Sequence, residues 1–144
     1  MCARAMNSYI MSYLHEVYGE NLLNPDLQVA FSQGNNRSMA LIGDSVLNLV
    51  VKLDKYKESS SSPGDIDDAR KDLARKNVMQ AILNNDVAFT KYLIKEHKCT
   101  SPVGNIGLQR ADDFMEAIIG AIFLTKGYKS SKKYVLKILK HKPS

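Results

Sequence analysis

Two apolar segments of this chain, residues 39–51 and 114–124, each contain a single charged residue, and in both it is a carboxylate: Asp44 in the first, Glu116 in the second. Runs of this length exceed an ordinary strand and fit helices that are apolar nearly all round, as central core helices are. A carboxylate in such a helix is costly unless a basic side chain, a hydrogen-bond network or a cation compensates it. The two segments therefore constrain the fold and the chemistry together.

The rest of the chain reads as helices. Residues 3–18 form a first helix with Tyr9, Ile10, Tyr13, Leu14 and Val17 on one side. Asn24-Pro25 marks a second start, Asn as cap and Pro in the first turn, for a short helix over 25–32. Gln33-Gly34-Asn35-Asn36 breaks it, and 37–53 is the third helix. The serine-rich stretch 58–64 is a loop. A fourth helix opens near Gly64-Asp65, where Asp65, Asp67 and Asp68 suit the positive end of the dipole, and Asn84-Asn85 closes it. Asp86 caps a fifth helix over 87–98, and Pro102, Gly104 and Gly107 make 99–108 a loop. Helices over 109–126 and 129–140 complete the chain. No segment reads as a strand. The expectation is an all-α bundle of about seven helices, in one domain over 1–144.

Composition removes several function classes. No apolar run approaches the roughly 18–20 residues that cross a bilayer, so no membrane partner is expected. Cys2 and Cys99 are too few and too scattered for a disulfide framework. Reduced thiols in an intracellular compartment, whether cytoplasmic, nuclear or organellar, are the expectation. His15, His97 and His141 are far apart, and no His/Cys spacing suggests zinc. There is no Gly-rich nucleotide loop and no nucleophile elbow. The net charge of +5 weakly favours a polyanionic partner. From Lys126 to Lys142 there are seven Lys and no acid, which suits either a solvated helix face or contact with phosphates.

Spacing sharpens the carboxylate argument. Asp113 and Glu116 are i, i+3 and project from one helix face, which Gln109 and Gly120 continue. Asp44, Asn48 and Lys52 form a stripe on the third helix. If the two helices cross near these positions, three carboxylates converge, and a divalent cation with hard oxygen ligands, Mg²⁺ or Mn²⁺, relieves their repulsion. The alternative is that both stripes face water, with Lys52 and Arg110 as solvated partners. Asp112 lies about 100° round the helix from Asp113 and reads as a bystander.

These residues resemble the ribonuclease III family. Its first signature is a helix carrying Leu-Glu-Phe-Leu-Gly-Asp-(Ala/Ser)-Val-Leu after a loop with paired Asn. Here Asn35-Asn36-Arg37-Ser38 is followed by Met39-Ala40-Leu41-Ile42-Gly43-Asp44-Ser45-Val46-Leu47. Its second signature is Ala-Asp-x-Phe-Glu-Ala-Leu-Ile-Gly-Ala-Ile-Tyr-Leu, and residues 112–124, from Asp112 to Leu124, are similar to it. The stretch 64–82 is similar to the family's Gly-x-Leu-Ser-x-Leu-Arg helix, with Ile66, Arg70 and Leu73 in register. The resemblance covers residues 22–127. The chain departs from the pattern where Ala40 replaces a Glu one turn before the Asp, where Arg37 replaces a further Glu, and in a shortened preceding loop. Loss of the first-helix Glu is similar to the mini-III branch of stand-alone nuclease domains.

The resemblance implies a Mg²⁺-dependent endoribonuclease that hydrolyses double-stranded RNA, with no double-stranded-RNA-binding domain attached. It implies that Asp44, Asp113 and Glu116 hold the metal and that Asp44 and Glu116 are catalytic. It further implies a homodimer with RNA in a valley between subunits. Leu41 and Ile42 are then either interface or core residues. Arg70, Lys71, Arg75, Lys76 and the C-terminal Lys run are the candidate phosphate contacts. The rival expectation is a catalytically impaired relative serving as a structural or RNA-binding subunit. Ala40 and Arg37 favour it, and the three retained acids oppose it.

Overall fold

The computed structural model describes residues 7–58, 61–75, 77–100, 108 and 110–143, without the side chains of Ala74 and Arg75. The described residues form helices and their connections, in the order α1 (Tyr9–Tyr18), α2 (Pro25–Ala30), α3 (Arg37–Tyr56), α4 (Pro63–Arg75), α5 (Val78–Asn85), α6 (Val87–His97), α7 (Ala111–Lys126) and α8 (Tyr128–Leu139). No strand occurs among them, as the sequence predicts.

The described residues form eight helices where about seven are expected, because the helix read over 64–83 divides in two. Asn77 stands between α4 and α5 with φ +50°, a left-handed conformation that ends one helix and redirects the chain into the next. Several boundaries follow from local chemistry. The Asn24 side chain accepts from the amides of Asp26 and Leu27 at 2.9 and 3.2 Å, and Pro25 occupies the first turn of α2. The stretch read as a loop over 99–108 is described only at Cys99, Thr100 and Leu108, and α7 starts at Ala111.

Asp86 does more than cap α6. Its Oδ1 accepts from the Phe89 amide at 3.1 Å, and its Oδ2 accepts from the Ser8 hydroxyl and the Ile10 amide, both at 3.0 Å. One buried carboxylate thus ties the starts of α1 and α6 together. Charge-assisted bonds of this kind are stronger than neutral ones, and they satisfy helix-end amides that would otherwise be buried without partners.

The core is built on α7. Ala111, Phe114, Met115, Ala117, Ile118, Ile119, Gly120, Ala121 and Ile122 are all buried, so α7 is enclosed nearly all round. Its long-chain partner is α3, which buries Met39, Ala40, Gly43, Val46, Leu47 and Val50. The two backbones come unusually close. A β-carbon on Gly120 would lie 2.4 Å from the Met39 carbonyl oxygen, and one on Gly43 would meet the Glu116 backbone. Only glycine at both positions permits this approach. Gly127, at φ +90°, ends α7 and turns the chain into α8. At the far end, the ring of His141 stacks on Tyr9 with centroids 3.8 Å apart and bonds the Tyr13 hydroxyl at 2.8 Å, fastening the C-terminal segment to α1.

No helix is long and apolar enough to cross a membrane among the described residues. The Cys99 thiol is buried and unpaired, and burial pushes its pKa up.

Candidate active site

The glycine crossing of α3 and α7 sets the site. Gly43 is packed on the Glu116 backbone, and Asp44 is the next residue, so the Asp44 and Glu116 side chains emerge from facing helices at one crossing point. Burial first, then the Asp44 carboxylate, then Asp112, push the Glu116 carboxyl from its ordinary 4.5 up to about 7. Arg70 pulls the other way, and Asp113 adds a smaller push upward. The neighbouring acids are therefore close enough to oppose the ionisation of Glu116.

Arg70 reaches in from α4 and donates through Nη2 to Asp44 Oδ1. Ile66, Arg70 and Leu73 lie on one stripe of α4, and Arg70 is the polar member that α4 delivers to the crossing. A cavity of about 150 Å³ opens beside it, lined by Arg70, Leu73, Asn77, Gln80, Asp112 and Glu116 among others. Asp112, the expected bystander, is i−4 from Glu116 and so shares this face.

Asp113 turns elsewhere. Its Oδ2 accepts from Arg110 Nη1 at 3.2 Å and lies 3.8 Å from Arg37 Nη1. These groups line a second cavity of about 450 Å³, with Gln33, Gly34, Asn36 and Phe114. The structure thus brings Asp44 and Glu116 together and points the third predicted carboxylate away from them. Among the described residues, no three His, Cys, Asp or Glu side chains are arranged to hold a metal ion.

The donor set nevertheless suits a hard divalent cation. Carboxylates stand on two facing helices, burial first and then their mutual charge raise Glu116, and guanidinium groups supply the compensation that a cation could supply instead. Two buried polar atoms near the crossing, Arg70 Nε and Asn48 Oδ1, lack hydrogen-bond partners among the described residues, and Asn48 is one turn beyond Asp44 on α3. Asp44 and Glu116 are the carboxylates at this crossing that would hold such an ion, in competition with Arg70 at Asp44. Asp113 could join them after release from Arg37 and Arg110.

Of the candidate phosphate contacts, Arg70 faces Asp44 rather than open solvent, and Lys71 pairs with Asp67 at 2.8 Å on the exposed face of α4. The Arg75 side chain and Lys76 lie outside the described residues. In the C-terminal Lys run, Lys137 pairs with Glu16, and a hydrogen bond with Lys57, then the Lys57 charge, lowers the pKa of Lys132. Leu41 and Ile42 are both exposed, so neither belongs to the core of the single chain. The sequence pattern did not show that Arg70 partners Asp44 or that Arg37 and Arg110 converge on Asp113. The i, i+4 relation of Asp112 to Glu116 was available and marks their common face.

A family model described as Ribonuclease-III-like matches residues 14–142 of the chain. Ribonuclease 3 of Delftia acidovorans is 34% identical over 110 residues, which span 74% of this chain and 47% of that protein. Ribonuclease 3 of Aliarcobacter butzleri is 32% identical over 109 residues, spanning 73% and 47%. The chain thus spans about half the length of these curated relatives. The nuclease domain of ribonuclease III from Campylobacter jejuni, solved in a study of flexibility in a region involved in dimer formation, has a similar fold. Its TM-score is 0.69 at 23% identity, covering 90% of this chain and 96% of that one. A second structure of that domain gives a TM-score of 0.64 at 22% identity, covering 90% and 92%.

Proposed function

Because the chain belongs to the Ribonuclease-III-like family, we propose that it is a divalent-metal-dependent endoribonuclease that hydrolyses phosphodiester bonds of double-stranded RNA. The observation that carries this reading is the packing of Gly43 on Glu116, which sets Asp44 beside a carboxyl raised to about 7.

Asp44 and Glu116 are the catalytic pair and, with Asp113, the metal ligands. Mg²⁺ is the expected ion and Mn²⁺ an acceptable one, supplying an activated water and stabilisation of the leaving 3′-oxygen. Glu116 must lose its proton to act as a ligand, and its raised pKa places that event near neutral pH. Arg70 holds the Asp44 carboxylate in place across the α3–α4 contact. Asp112 adds negative potential at the same cavity. The duplex is recognised by A-form shape, phosphates and 2′-hydroxyls rather than base edges, with Lys71 and the C-terminal lysines as outer phosphate contacts.

The working unit is a homodimer. Leu41, Leu49, Leu53 and Tyr56 on α3 and Phe123 and Leu124 on α7 are large apolar residues left exposed. Leu41 retains 64% of its surface although it lies in the signature segment, which supports its interface role over its core role.

A second reading is a non-cleaving RNA-binding or structural subunit. Ala40 is buried where the family pattern has a Glu, and arginines already neutralise Asp44 and Asp113, which favours it. Incubation of double-stranded RNA with the protein and Mg²⁺ or Mn²⁺, beside a Glu116→Ala control, separates the two. Cutting that depends on Glu116 supports the nuclease. No cutting in either metal across pH 6–9 rejects it in favour of the subunit.

A further inference from the structure

The cavity at the starts of α3 and α7 is a positively biased pocket that the catalytic pair does not use. Arg37 and Arg110 keep 66% and 58% of their side-chain surface exposed, while Asp113, between them, keeps 15%. Two largely exposed guanidiniums thus share one shielded carboxylate, and one positive charge remains uncompensated within the trio. The helix ends add to this bias. The Asn36 side chain donates to the Ala30 carbonyl at 2.9 Å instead of capping α3, and Arg110, the residue before α7, is in a left-handed conformation and makes no side-chain cap. Neither N-cap residue accepts through its side chain from the first-turn amides of its helix, so the positive end of each helix dipole lies uncapped by it. The pattern of the family places a Glu at position 37, so Arg37 reverses the charge at this mouth.

We propose that Arg37 and Arg110 bind a phosphate of the RNA backbone in this cavity, and that the phosphate, by drawing both guanidiniums from Asp113, frees that carboxylate to turn toward Asp44 and Glu116. The inference rests on the RNA-cleaving reading above and adds an order of events to it. Guanidinium forks match a phosphate as well as they match a carboxylate, and a polyanionic duplex brings several phosphates to the mouth at once. By linkage, RNA binding and completion of the carboxylate cluster favour each other. In the absence of RNA, Asp113 stays with the arginines, and the site is held short of its third acid.

The test reads binding, not cleavage. A short fluorescent RNA duplex is titrated by anisotropy in EDTA with the parent protein, Arg37→Ala/Arg110→Ala and Asp113→Asn. The double variant is expected to bind about tenfold more weakly and to lose roughly one unit of salt slope for each lost contact. Asp113→Asn is expected to bind several-fold more tightly, since it stops competing for the guanidiniums. A misfolded variant does not tighten, so this opposite sign protects the test. In Mn²⁺ titrations followed by EPR without RNA, the double variant is expected to bind the ion more tightly than the parent, with Asp113 released. Unchanged RNA affinity and salt slope in the double variant overturn the proposal, as does weaker RNA binding by Asp113→Asn or no binding by the parent. A protein that binds RNA through these arginines yet never cuts it loses the nuclease reading and keeps the pocket. One that cuts RNA with arginine-independent affinity keeps the nuclease reading and loses the pocket.

Discussion

The Gly43 backbone lies so close to α7 that a β-carbon there would sit 1.6 Å from the Glu116 carbonyl oxygen. The neighbour is backbone inside a helix, which cannot rotate aside as a side-chain tip can. Position 43 therefore fixes the distance between the helices that carry Asp44 and Glu116. The same approach that packs the core also sets the spacing of the acids.

Gly43→Ala should separate α3 from α7 or unfold the protein. Forcing one methyl into this contact should cost about 3 kcal/mol or more, at the upper end of overpacking substitutions. Urea unfolding followed by circular dichroism checks it. A variant within about 0.5 kcal/mol of the parent would show that the crossing adapts, and that glycine is not what sets the acid spacing.

Glu116 makes the metal-free fold pH-dependent. In the unfolded chain its carboxyl ionises near 4.5, and in the fold near 7. Below pH 4.5 both states are protonated and the group contributes its full share of stability. As pH rises through this window the unfolded state ionises first, so stability falls and levels off above 7. Glu116→Gln should match the parent at pH 4 and melt roughly a few degrees higher at pH 8 in EDTA, a modest gain because solvent screens a half-exposed site. Equal melting temperatures at pH 8 would show that Glu116 is not raised.

The same shift governs metal binding. A proton and a cation compete for Glu116, so Mg²⁺ or Mn²⁺ affinity should rise with pH until about 7 and then flatten. Isothermal titration at pH 6, 7 and 8 should show proton uptake by the buffer that is largest at the low end. Affinity independent of pH would place the ion away from Glu116.

How much of this was legible beforehand depends on distance along the chain. The Asn24-Pro25 start of α2 and the Asp86 cap of α6 are local, and each cap bond spans two or three residues. Asp44 and Glu116 stood out because an acid in an apolar helix needs a reason. The break at Asn77 was hidden, because a left-handed Asn costs little and leaves the hydrophobic pattern of α4 and α5 nearly continuous. The Arg70–Asp44 pair spans 26 residues and depends on the angle at which α4 crosses α3, which no periodicity encodes. The turn of Asp113 toward Arg110 is a rotamer choice, and i, i+3 spacing allows it either partner.

Arg70→Met should move stability and metal affinity in opposite directions. Arg70 is mostly buried against Asp44, and its loss leaves a half-buried carboxylate without a partner and beside Glu116, which also loses the one neighbour that lowers its pKa. In EDTA the variant should lose about 1–3 kcal/mol, between the values for exposed and buried pairs. The removed guanidinium is also the cation's competitor at Asp44, so Mn²⁺ should bind several-fold more tightly and recover much of the lost stability, by the mass-action rule for ligands that bind only the fold. Thermal melts with and without Mn²⁺ decide it. A variant that is destabilised equally in both conditions would mean that Arg70 serves packing alone and that Asp44 takes no part in holding the ion.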